Sequence, residues 1–193
     1  YWRRRGLDDK TIVRFGLGYA PNDGQALYQY LRDKGYNQQE LDASGLFKRS
    51  QSGRIYCLFW KRVMTPIFDL RGNIIAFGGR VMDDSKPKYV NSPETLVYHK
   101  SETVFAMQIA KRSASRRFVL CEGYMDVISM QQAGIDTAVC ACGTALTPGQ
   151  VRIISEYADE VILSYDSDEA GQKATLRSLE LFRNSPVKVG VLQ

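Results

Sequence analysis

The sequence predicts an α/β protein in which a basic α+β subdomain is followed by a parallel sheet covered by helices. From Arg117 onward, short and almost wholly apolar runs alternate with helical patterns, which is typical of a parallel sheet buried on both faces. The charge changes sign at the same place: residues 1–116 carry 20 Lys and Arg against 11 Asp and Glu, whereas residues 117–193 carry 6 against 10. We therefore expect two domains, over residues 1–114 and 115–193.

The basic subdomain is predicted to begin with short helices and to continue with strands. The helices are predicted over residues 25–36 and 37–47, and the strands over residues 54–60, 63–70 and 73–81. Arg71-Gly72-Asn73 predicts the hairpin turn between the last two strands. The polar, proline-containing residues 83–95 predict an extended loop, and helical spacing predicts a helix over residues 102–112.

The second domain is predicted to alternate strand and helix to its end. The strands are predicted over residues 117–122, 136–142, 160–166 and 187–193. The helices between them are predicted over residues 124–134, 147–158 and 169–183. Thr147 and Pro148 are typical of the N-cap and first position of a helix, so they fix the start of the middle helix.

Composition excludes several kinds of site. The cysteines Cys57, Cys121, Cys140 and Cys142 form no CxxC pair, which argues against a zinc site and for reduced core thiols. The single histidine, His99, excludes a His-rich zinc site and any Ser-His-Asp triad built elsewhere. No apolar run is long enough for a membrane helix, and no signal peptide is visible, so we expect no membrane partner. The chain lacks an initiator Met, and we expect it to be part of a longer protein.

Charge and acidic motifs point to a polyanionic partner and to a metal. The basic front half suggests nucleic acid, with chance surface charge as the alternative. Glu122-Gly123 follows one predicted strand and Asp166-Ser167-Asp168 follows another. Because ligands of parallel α/β sheets bind beyond the carboxyl ends of strands, we expect both motifs at one sheet edge.

Spacing narrows the interpretation of the aspartate pair. An EF-hand loop starting at Asp166 would need oxygen ligands where Ala170 and Arg177 stand, so that interpretation fails. A phosphatase-like nucleophile pair would continue with a small hydroxyl residue where Glu169 stands. A helix cap explains Asp168 but not its acidic neighbours, whereas a divalent cation would offset the repulsion among them. The cap and the metal interpretations both remain open on spacing alone.

Several independent motifs resemble the RNA polymerase domain of bacterial DNA primases. In the back half the resemblance rests on Glu122–Val127, on "GTALTPGQ" at 143–150 and on "YDSDEAGQKA" at 165–174, which resemble the family's toprim domain. In the front half it rests on "RRRGLDDKTIVRFGLGYAP", "RVMTPIFDLRGNIIAFGGR" and "PKYVNSPET", which resemble the basic subdomain that precedes it. The domains then become a basic N-terminal subdomain (1–114) and a toprim domain (115–193) that is truncated at its C-terminus.

The resemblance implies a nucleotidyltransferase that synthesises short RNA primers during replication. It implies Mg²⁺ or Mn²⁺ as cofactor, and zinc only in a separate N-terminal module that this chain does not contain. The implied partners are a single-stranded DNA template, ribonucleoside triphosphates, the RNA primer and, through an absent C-terminal module, the replicative helicase. The implied location is the cytoplasm, at the replication fork.

The resemblance also implies roles for individual residues. Glu122 would be a metal ligand or general acid/base, Asp166 and Asp168 would be metal ligands, and Asp126 would support the metal site. The residues expected to contact template or nucleotide are Arg62, Arg80, Lys88, Asn91 and Lys100. A further acidic motif of the family would follow residue 193, so we expect the isolated chain to bind metal and DNA weakly and to make little or no primer. The alternatives are another toprim-type enzyme, such as a nuclease or topoisomerase, and a non-catalytic nucleic-acid-binding module.

Overall fold

The structure, a computed structural model, describes residues 1–143 and 145–192 and divides into two compact units. Unit 1 comprises Tyr1–Pro66 and Ile75–His99, and unit 2 comprises Ile67–Ile74 and the chain from Lys100 onward. Thr144, inside the 143–150 motif, and Gln193, at the end of the last predicted strand, lie outside the described residues. Within the described ranges, no helix is long and apolar enough to cross a membrane.

A four-stranded sheet dominates the first half of the chain, in the order β1-β4-β5-β6, and a small β2-β3 ribbon accompanies it. The strands are β1 Gly18–Ala20, β2 Phe47–Arg49, β3 Ile55–Cys57, β4 Arg62–Phe68, β5 Ile74–Val81 and β6 Tyr89–Asn91. The helices are α1 Asp9–Arg14, α2 Ala26–Asp33 and α3 Gln38–Ala43. A capping box starts α3: the Asn37 side chain accepts from the Glu40 N–H, and the Glu40 carboxylate accepts from the Asn37 N–H.

The predicted hairpin turn is confirmed, but two neighbouring predictions are wrong. Asp69 makes the turn, because its Oδ1 accepts the backbone N–H groups of Arg71 and Asn73, both at 2.8 Å. The predicted strand over 54–60 is only three residues long, since the chain leaves the ribbon after Cys57. The predicted loop over 83–95 contains β6, which pairs antiparallel with β5 in spite of its proline-containing surroundings.

Unit 2 is built on a five-stranded sheet in the order β11-β10-β8-β9-β7. The strands are β7 Val104–Phe105, β8 Arg117–Cys121, β9 Ala138–Ala141, β10 Glu160–Ser164 and β11 Lys188–Val191. The helices are α4 Met107–Ala110, α5 Tyr124–Gln132, α6 Pro148–Tyr157 and α7 Glu169–Phe182. The strands β8, β9, β10 and β11 are parallel, as the apolar runs predicted, and the α/β class is confirmed.

The helix predicted over 102–112 is wrong, and its residues complete the sheet instead. Val104 and Phe105 pair antiparallel with Ala141 and Cys140 and so add an edge strand to the parallel sheet. Ala106 then adopts a left-handed conformation with φ of 63°, which separates this strand from the short helix α4. The helical spacing of the apolar residues could not distinguish one long helix from a strand followed by a single turn.

In unit 2, the connections that follow the central strands β8 and β10 run in opposite directions across the sheet. Fully buried Phe118, Leu120, Val161 and Leu163 alternate along β8 and β10 and form its centre. The connection from β8 through α5 leads to β9 on one side of β8, whereas the connection from β10 through α7 leads to β11 on the other side. Since parallel crossovers are right-handed, α5 and α7 cover opposite faces of the sheet.

Candidate functional site

The adjacent strands β8 and β10 form a topological switch point, and both acidic motifs lie there. Cys121 at the end of β8 is paired with Ser164 at the end of β10, while the following helices diverge to opposite faces. In open parallel sheets such a divergence leaves a crevice at the carboxyl ends of the two strands, where ligands bind. The expectation that Glu122 and Asp166 lie at one edge of the sheet therefore agrees with the geometry.

A hydrogen bond joins the two acidic loops. Glu122 directly follows β8, and its Oε2 accepts the backbone N–H of Asp166 at 3.2 Å. Both carboxylates are exposed to solvent, so neither is held by burial. The contact places the Glu122 side chain across the carboxyl end of β10. We call Glu122, Asp126, Asp166 and Asp168 the acidic edge.

The other two members of the acidic edge stabilise helix starts. Asp168 is the N-cap of α7, and its Oδ1 accepts the N–H of Gly171 at 2.8 Å, which confirms the cap interpretation for this residue. Asp126 lies in the first turn of α5 and accepts the N–H of Gly123 through Oδ2 at 3.0 Å. Each contact engages one carboxylate oxygen, and the carboxylates themselves are exposed.

Gly171 is a residue of this region that the sequence did not single out. It is buried in the first turn of α7, directly against the backbone of Asp166. A methyl group on Gly171 would overlap the carbonyl oxygen of Asp166, so only glycine allows α7 to start here. A glycine inside an otherwise helical pattern is the signal that could have revealed this close approach.

The acidic edge fits a hard divalent cation in its donor chemistry. Carboxylate oxygens are the ligands that Mg²⁺ prefers, and Mg²⁺ usually takes one or two of them together with water and phosphate. Within residues 1–143 and 145–192, no three acidic, cysteine or histidine side chains converge into a ready metal cage. Exposed carboxylates with one oxygen engaged can turn toward an ion, so the residues present suit a site that a phosphate-bearing ligand completes.

The thiols beneath the acidic edge do not compete as ligands. Burial, together with the charge of Asp126, raises the pKa of the Cys121 thiol to about 12. Burial also raises the pKa of Cys140 well above its ordinary value. Both side chains are buried and stay protonated at neutral pH, so they are poor metal ligands. The edge therefore presents oxygen donors alone.

Arg62, Arg80 and Lys88, which we call the basic set, belong to unit 1, as does the neutral Asn91. Arg62 is buried, with 7% of its surface exposed, and its guanidinium donates to the carbonyl oxygens of Lys88 at 3.3 Å and Pro87 at 2.8 Å. Burial lowers the pKa of Arg62 from its ordinary value. Two of its donors thus hold the segment that carries Lys88.

Arg80 and Arg62 project from opposite faces of the sheet. The space above Gly79 is filled by the Phe59 ring and the Arg62 stem, which would lie 2.8 and 3.1 Å from a methyl group placed there. Because side chains alternate along a strand, Arg80 faces the other way. Gly79 therefore lets the Phe59 ring and the Arg62 stem pack directly against the backbone of β5.

Two tyrosine rings lie beside Arg80, and sequence reasoning missed both. Tyr89 is its cross-strand partner, and Arg80 Nε donates to the Tyr89 hydroxyl at 3.2 Å. The guanidinium also donates to the Tyr1 hydroxyl and lies 5.6 Å from the centre of the Tyr1 ring. Tyr1 is 79 positions away in the chain, so no local pattern could predict this contact.

The remaining predicted contacts are divided between the units. Lys88 is exposed, with Nζ 5.8 Å from the centre of the Tyr89 ring. Asn91 lies opposite Gly78 in β6, two residues from Tyr89 and therefore on the same face. Lys100 is in unit 2, in the 3₁₀ turn Lys100–Glu102. Unit 1 thus holds the basic set, and unit 2 holds Lys100 and the acidic edge.

Comparison with protein families identifies the two halves of the chain. Residues 1–111 match the family model described as DNA primase catalytic core, N-terminal domain. Residues 119–193 match the model described as Toprim-like. The chain belongs to the DNA primase catalytic core family. The resemblance found in the sequence motifs is confirmed.

Individual primases agree over almost the whole chain. The DNA primase of Clostridium acetobutylicum is 42% identical over 194 residues, which cover 100% of this chain and 32% of that protein. The solved Aquifex aeolicus primase, comprising zinc-binding and RNA polymerase domains, has a TM-score of 0.91 at 36% identity, covering 99% of this chain and 48% of that one. A DnaG primase catalytic domain bound to ssDNA has a TM-score of 0.87 at 35% identity, covering 100% of this chain and 64% of that one.

The chain spans about a third of the length of the curated primases that it matches. The toprim-containing primases of this family use divalent metal ions, which agrees with the oxygen donors of the acidic edge. Family membership thus supports a metal at the toprim part without fixing which side chains bind it.

Proposed function

We propose that this chain is the part of a DNA primase that joins ribonucleotides on a single-stranded DNA template. The reaction is nucleotidyl transfer, in which a 3′-hydroxyl attacks a ribonucleoside triphosphate and pyrophosphate leaves. The observation that carries the proposal is the meeting of Glu122 and Asp166 at the switch point between β8 and β10, 3.2 Å apart from side-chain oxygen to backbone nitrogen. That meeting occurs in a chain that matches primase catalytic cores from end to end.

The front half favours a primase over other enzymes with a toprim domain. A toprim match alone would fit a nuclease or a topoisomerase equally well. Residues 1–111, however, match the model for the N-terminal part of primase catalytic cores. A non-catalytic binding module would not explain why exposed carboxylates gather at the ligand-binding edge of a parallel sheet.

Glu122, Asp166 and Asp168 would hold Mg²⁺ or Mn²⁺ in this proposal. Bound divalent ions neutralise phosphate charge and lower the pKa of an attacking hydroxyl. Asp168 keeps one oxygen on the N–H of Gly171, which fixes the carboxylate in place and leaves its second oxygen for an ion. Asp126 supports the site by holding the Gly123 N–H, which sets the path of the chain after Glu122. Glu122 is also the group placed to take or return a proton.

The basic set and Lys100 would bind phosphates of the template or the nucleotide. A related DnaG catalytic domain has been solved bound to ssDNA, which supports single-stranded DNA as the template partner. Lys88 is exposed and can contact a phosphate directly, whereas Arg62 acts by holding the backbone beside Lys88. Asn91 and Arg80 lie on one face with Tyr89, where cations and an aromatic ring suit a single strand.

The remaining partners belong to the whole protein. We propose that the full-length protein also binds ribonucleoside triphosphates, the growing RNA primer and a replicative helicase, and that a separate zinc module precedes this region. The solved Aquifex relative contains zinc-binding and RNA polymerase domains in one chain. We also propose that the isolated chain synthesises little or no primer, and robust synthesis by it alone would contradict this.

The test is primer synthesis by the full-length protein carrying Glu122→Gln or Asp166→Asn. Each change removes a charge but keeps the shape of an exposed side chain, so folding should be unaffected. We expect synthesis from ribonucleotides on a single-stranded template to fall at least about 100-fold. Affinity for the same template, measured by fluorescence anisotropy, should stay within about twofold of wild type.

Asp159→Asn is the matched control, because Asp159 is an exposed aspartate directly before β10, at the opposite end of that strand from Asp166. It should retain full synthesis. Unchanged synthesis in both edge variants would reject the acidic edge as the site. Loss of template binding together with synthesis would favour a nucleic-acid-binding role for the carboxylates.

A further inference from the structure

Side chains at the start of α6 form hydrogen bonds to the backbone of residues 100–103, and the proposed function does not involve these bonds. Gln150 is fully buried, and its Nε2 donates to the carbonyl oxygens of Lys100 at 2.8 Å and Thr103 at 2.9 Å. Its Oε1 accepts the backbone N–H of Thr147 at 3.0 Å. The amide nitrogen thus joins α6 to the 3₁₀ turn at Lys100, and the amide oxygen caps the start of α6 itself.

Neighbouring residues of α6 hold the carbonyl between those two. Thr147 Oγ1 donates to the carbonyl oxygen of Ser101 and also accepts the N–H of Gln150 at 3.2 Å. Gly149 lies so close to the same carbonyl that a methyl group on it would be 2.7 Å from the oxygen. Thr147, Gly149 and Gln150 belong to the motif at 143–150, whose chemical purpose the sequence left open.

We propose that Gln150 is a positioning residue that fixes Lys100 for binding a phosphate-bearing ligand, and this rests on the phosphate-binding role proposed for Lys100. A lysine ammonium is a point charge on a long flexible stem, so its reach is set by its backbone. Gln150 fixes that backbone at the Lys100 carbonyl itself. Without the Gln150 amide, the turn loses two hydrogen bonds, and the backbone of Lys100 is no longer held in place.

Gln131 provides a matched comparison within unit 2. It is 3% exposed, and its Nε2 donates to the carbonyl oxygen of Ala138 at 3.0 Å. It resembles Gln150 in burial and in donating from Nε2 to a backbone carbonyl, but this bond joins α5 to β9, and its Oε1 has no hydrogen-bond partner among the described residues. A loss of ligand affinity common to Gln150→Met and Gln131→Met reflects lower stability. A loss of affinity confined to Gln150→Met reflects the position of Lys100.

The experiment measures the binding of two ligands to the full-length protein. The variants are Gln150→Met, Gln131→Met, Lys100→Ala and the double variant Gln150→Met/Lys100→Ala. A single-stranded oligonucleotide, titrated at several salt concentrations, reports template phosphates, and ATP with Mg²⁺ reports nucleotide phosphates. Primer synthesis adds the KM for ATP separately from kcat.

We expect Lys100→Ala to weaken the binding of one of the two ligands about tenfold, because one good phosphate contact is lost. Gln150→Met should weaken the same ligand by a similar factor, and the double variant should be no weaker than Lys100→Ala alone. If the ligand is DNA, both single variants should reduce the slope of log K against log salt by about 0.7, and if it is ATP, they should raise KM more than they lower kcat. Gln131→Met should leave the slope and KM unchanged.

Two outcomes overturn the inference in distinguishable ways. If Lys100→Ala weakens a ligand while Gln150→Met behaves like Gln131→Met, or adds to the loss in the double variant, Gln150 does not act through Lys100. If Lys100→Ala weakens neither ligand, the role proposed for Lys100 fails and this inference fails with it. If Gln150→Met does not fold, Thr147→Val takes its place, with Thr147→Ser expected to restore binding because it keeps the hydroxyl, and the same comparisons decide.

Discussion

The acidic edge of unit 2 and the basic set of unit 1 hold their charged groups in opposite ways. At the acidic edge, backbone N–H groups place exposed carboxylates at loop and helix starts, as Asp166 N–H does for Glu122 and Gly171 N–H does for Asp168. In the basic set, Arg62 is itself part of the packing, because it is buried and its guanidinium donates to two backbone carbonyl groups. The carboxylates are therefore available to a ligand, whereas part of the positive charge stabilises the fold.

This difference separates function from stability by region. A conservative change at an exposed carboxylate should remove activity and leave the fold intact. A change at Arg62 should act first on stability, and only an exposed cation such as Lys88 should affect binding alone. Variants at Gly171, Arg62 and Lys88 test that separation.

The largest effect is expected for Gly171→Ala, because the added methyl group clashes with the backbone that supports the acidic edge. The added methyl would overlap the Asp166 carbonyl, so α7 or the Asp166 loop must shift. We expect a loss of about 3 kcal/mol in the free energy of unfolding, although alanine is intrinsically the better helix former. Urea denaturation measures the loss, and primer synthesis should fall with it.

Gly190→Ala is the matched control for Gly171→Ala in the same unit. A methyl group at Gly190 would meet the Ile162 Cδ1 atom at 2.9 Å, and a side-chain end can move aside. We expect a loss below about 1 kcal/mol for this variant. Equal losses in the two variants would show that the contact with Asp166 has no special weight.

Arg62→Ala should be the next largest, and its effect should be on stability. Removing the guanidinium takes the donor from the buried-side contact with the Pro87 carbonyl, whereas the Lys88 carbonyl keeps the backbone N–H of Val81 at 3.1 Å. We expect a loss of about 2 kcal/mol in urea denaturation, with no rescue by Arg62→Lys, which cannot reproduce the two-pronged donor. The exposed Arg54→Ala is the control and should change stability by less than about 0.5 kcal/mol. Wild-type stability in Arg62→Ala would remove the contrast between the two regions.

Lys88→Ala should affect binding and leave the fold unchanged. The side chain is exposed, so the free energy of unfolding should stay within about 0.5 kcal/mol of wild type. Loss of one phosphate contact should reduce the salt slope of single-stranded DNA binding by about 0.7. A full wild-type slope, measured by anisotropy titrations, would place Lys88 outside the DNA-binding surface.

The smallest effect is expected from the thiols beneath the acidic edge. The raised pKa of Cys121 keeps the thiol neutral in the folded protein, while in the unfolded chain it ionises above about pH 8.5. Its contribution to stability is therefore complete below that pH and declines as pH rises toward 12. We expect a decline below about 1 kcal/mol per thiol between pH 8 and pH 9. Denaturation at both pH values checks it, and Cys121→Ala should flatten the decline, whereas an unchanged decline would assign it to other groups.

The sequence predicted the sheet edge well because strand ends carry local signals. The apolar runs before Glu122 and Asp166 identified two parallel strands, and the rule for parallel sheets brought their carboxyl ends together. Thr147 and Pro148 likewise fixed the start of α6, where the structure has it. The domain boundary between residues 114 and 115 stays a prediction, as do the roles of the individual site residues.

Contacts that join distant parts of the chain could not be predicted in this way. The switch point depends on the order of the strands, which no local pattern encodes. The burial of Arg62 depends on carbonyl groups 25 and 26 positions later, and the tyrosine beside Arg80 comes from the first residue of the chain. The edge strand β7 was missed because the apolar spacing of residues 102–112 also fits a helix, and no sequence signal marks the left-handed Ala106 that separates β7 from α4.

A crystal structure of the full-length protein soaked with Mn²⁺, located by anomalous scattering, shows whether the acidic edge binds metal. We expect an ion about 2.0 to 2.6 Å from carboxylate oxygens of Glu122 and of Asp166 or Asp168. The same soak of Glu122→Gln should lose or weaken that ion. An ion bound elsewhere, with the acidic edge unoccupied at the same Mn²⁺ concentration, would show that these carboxylates are not the metal site.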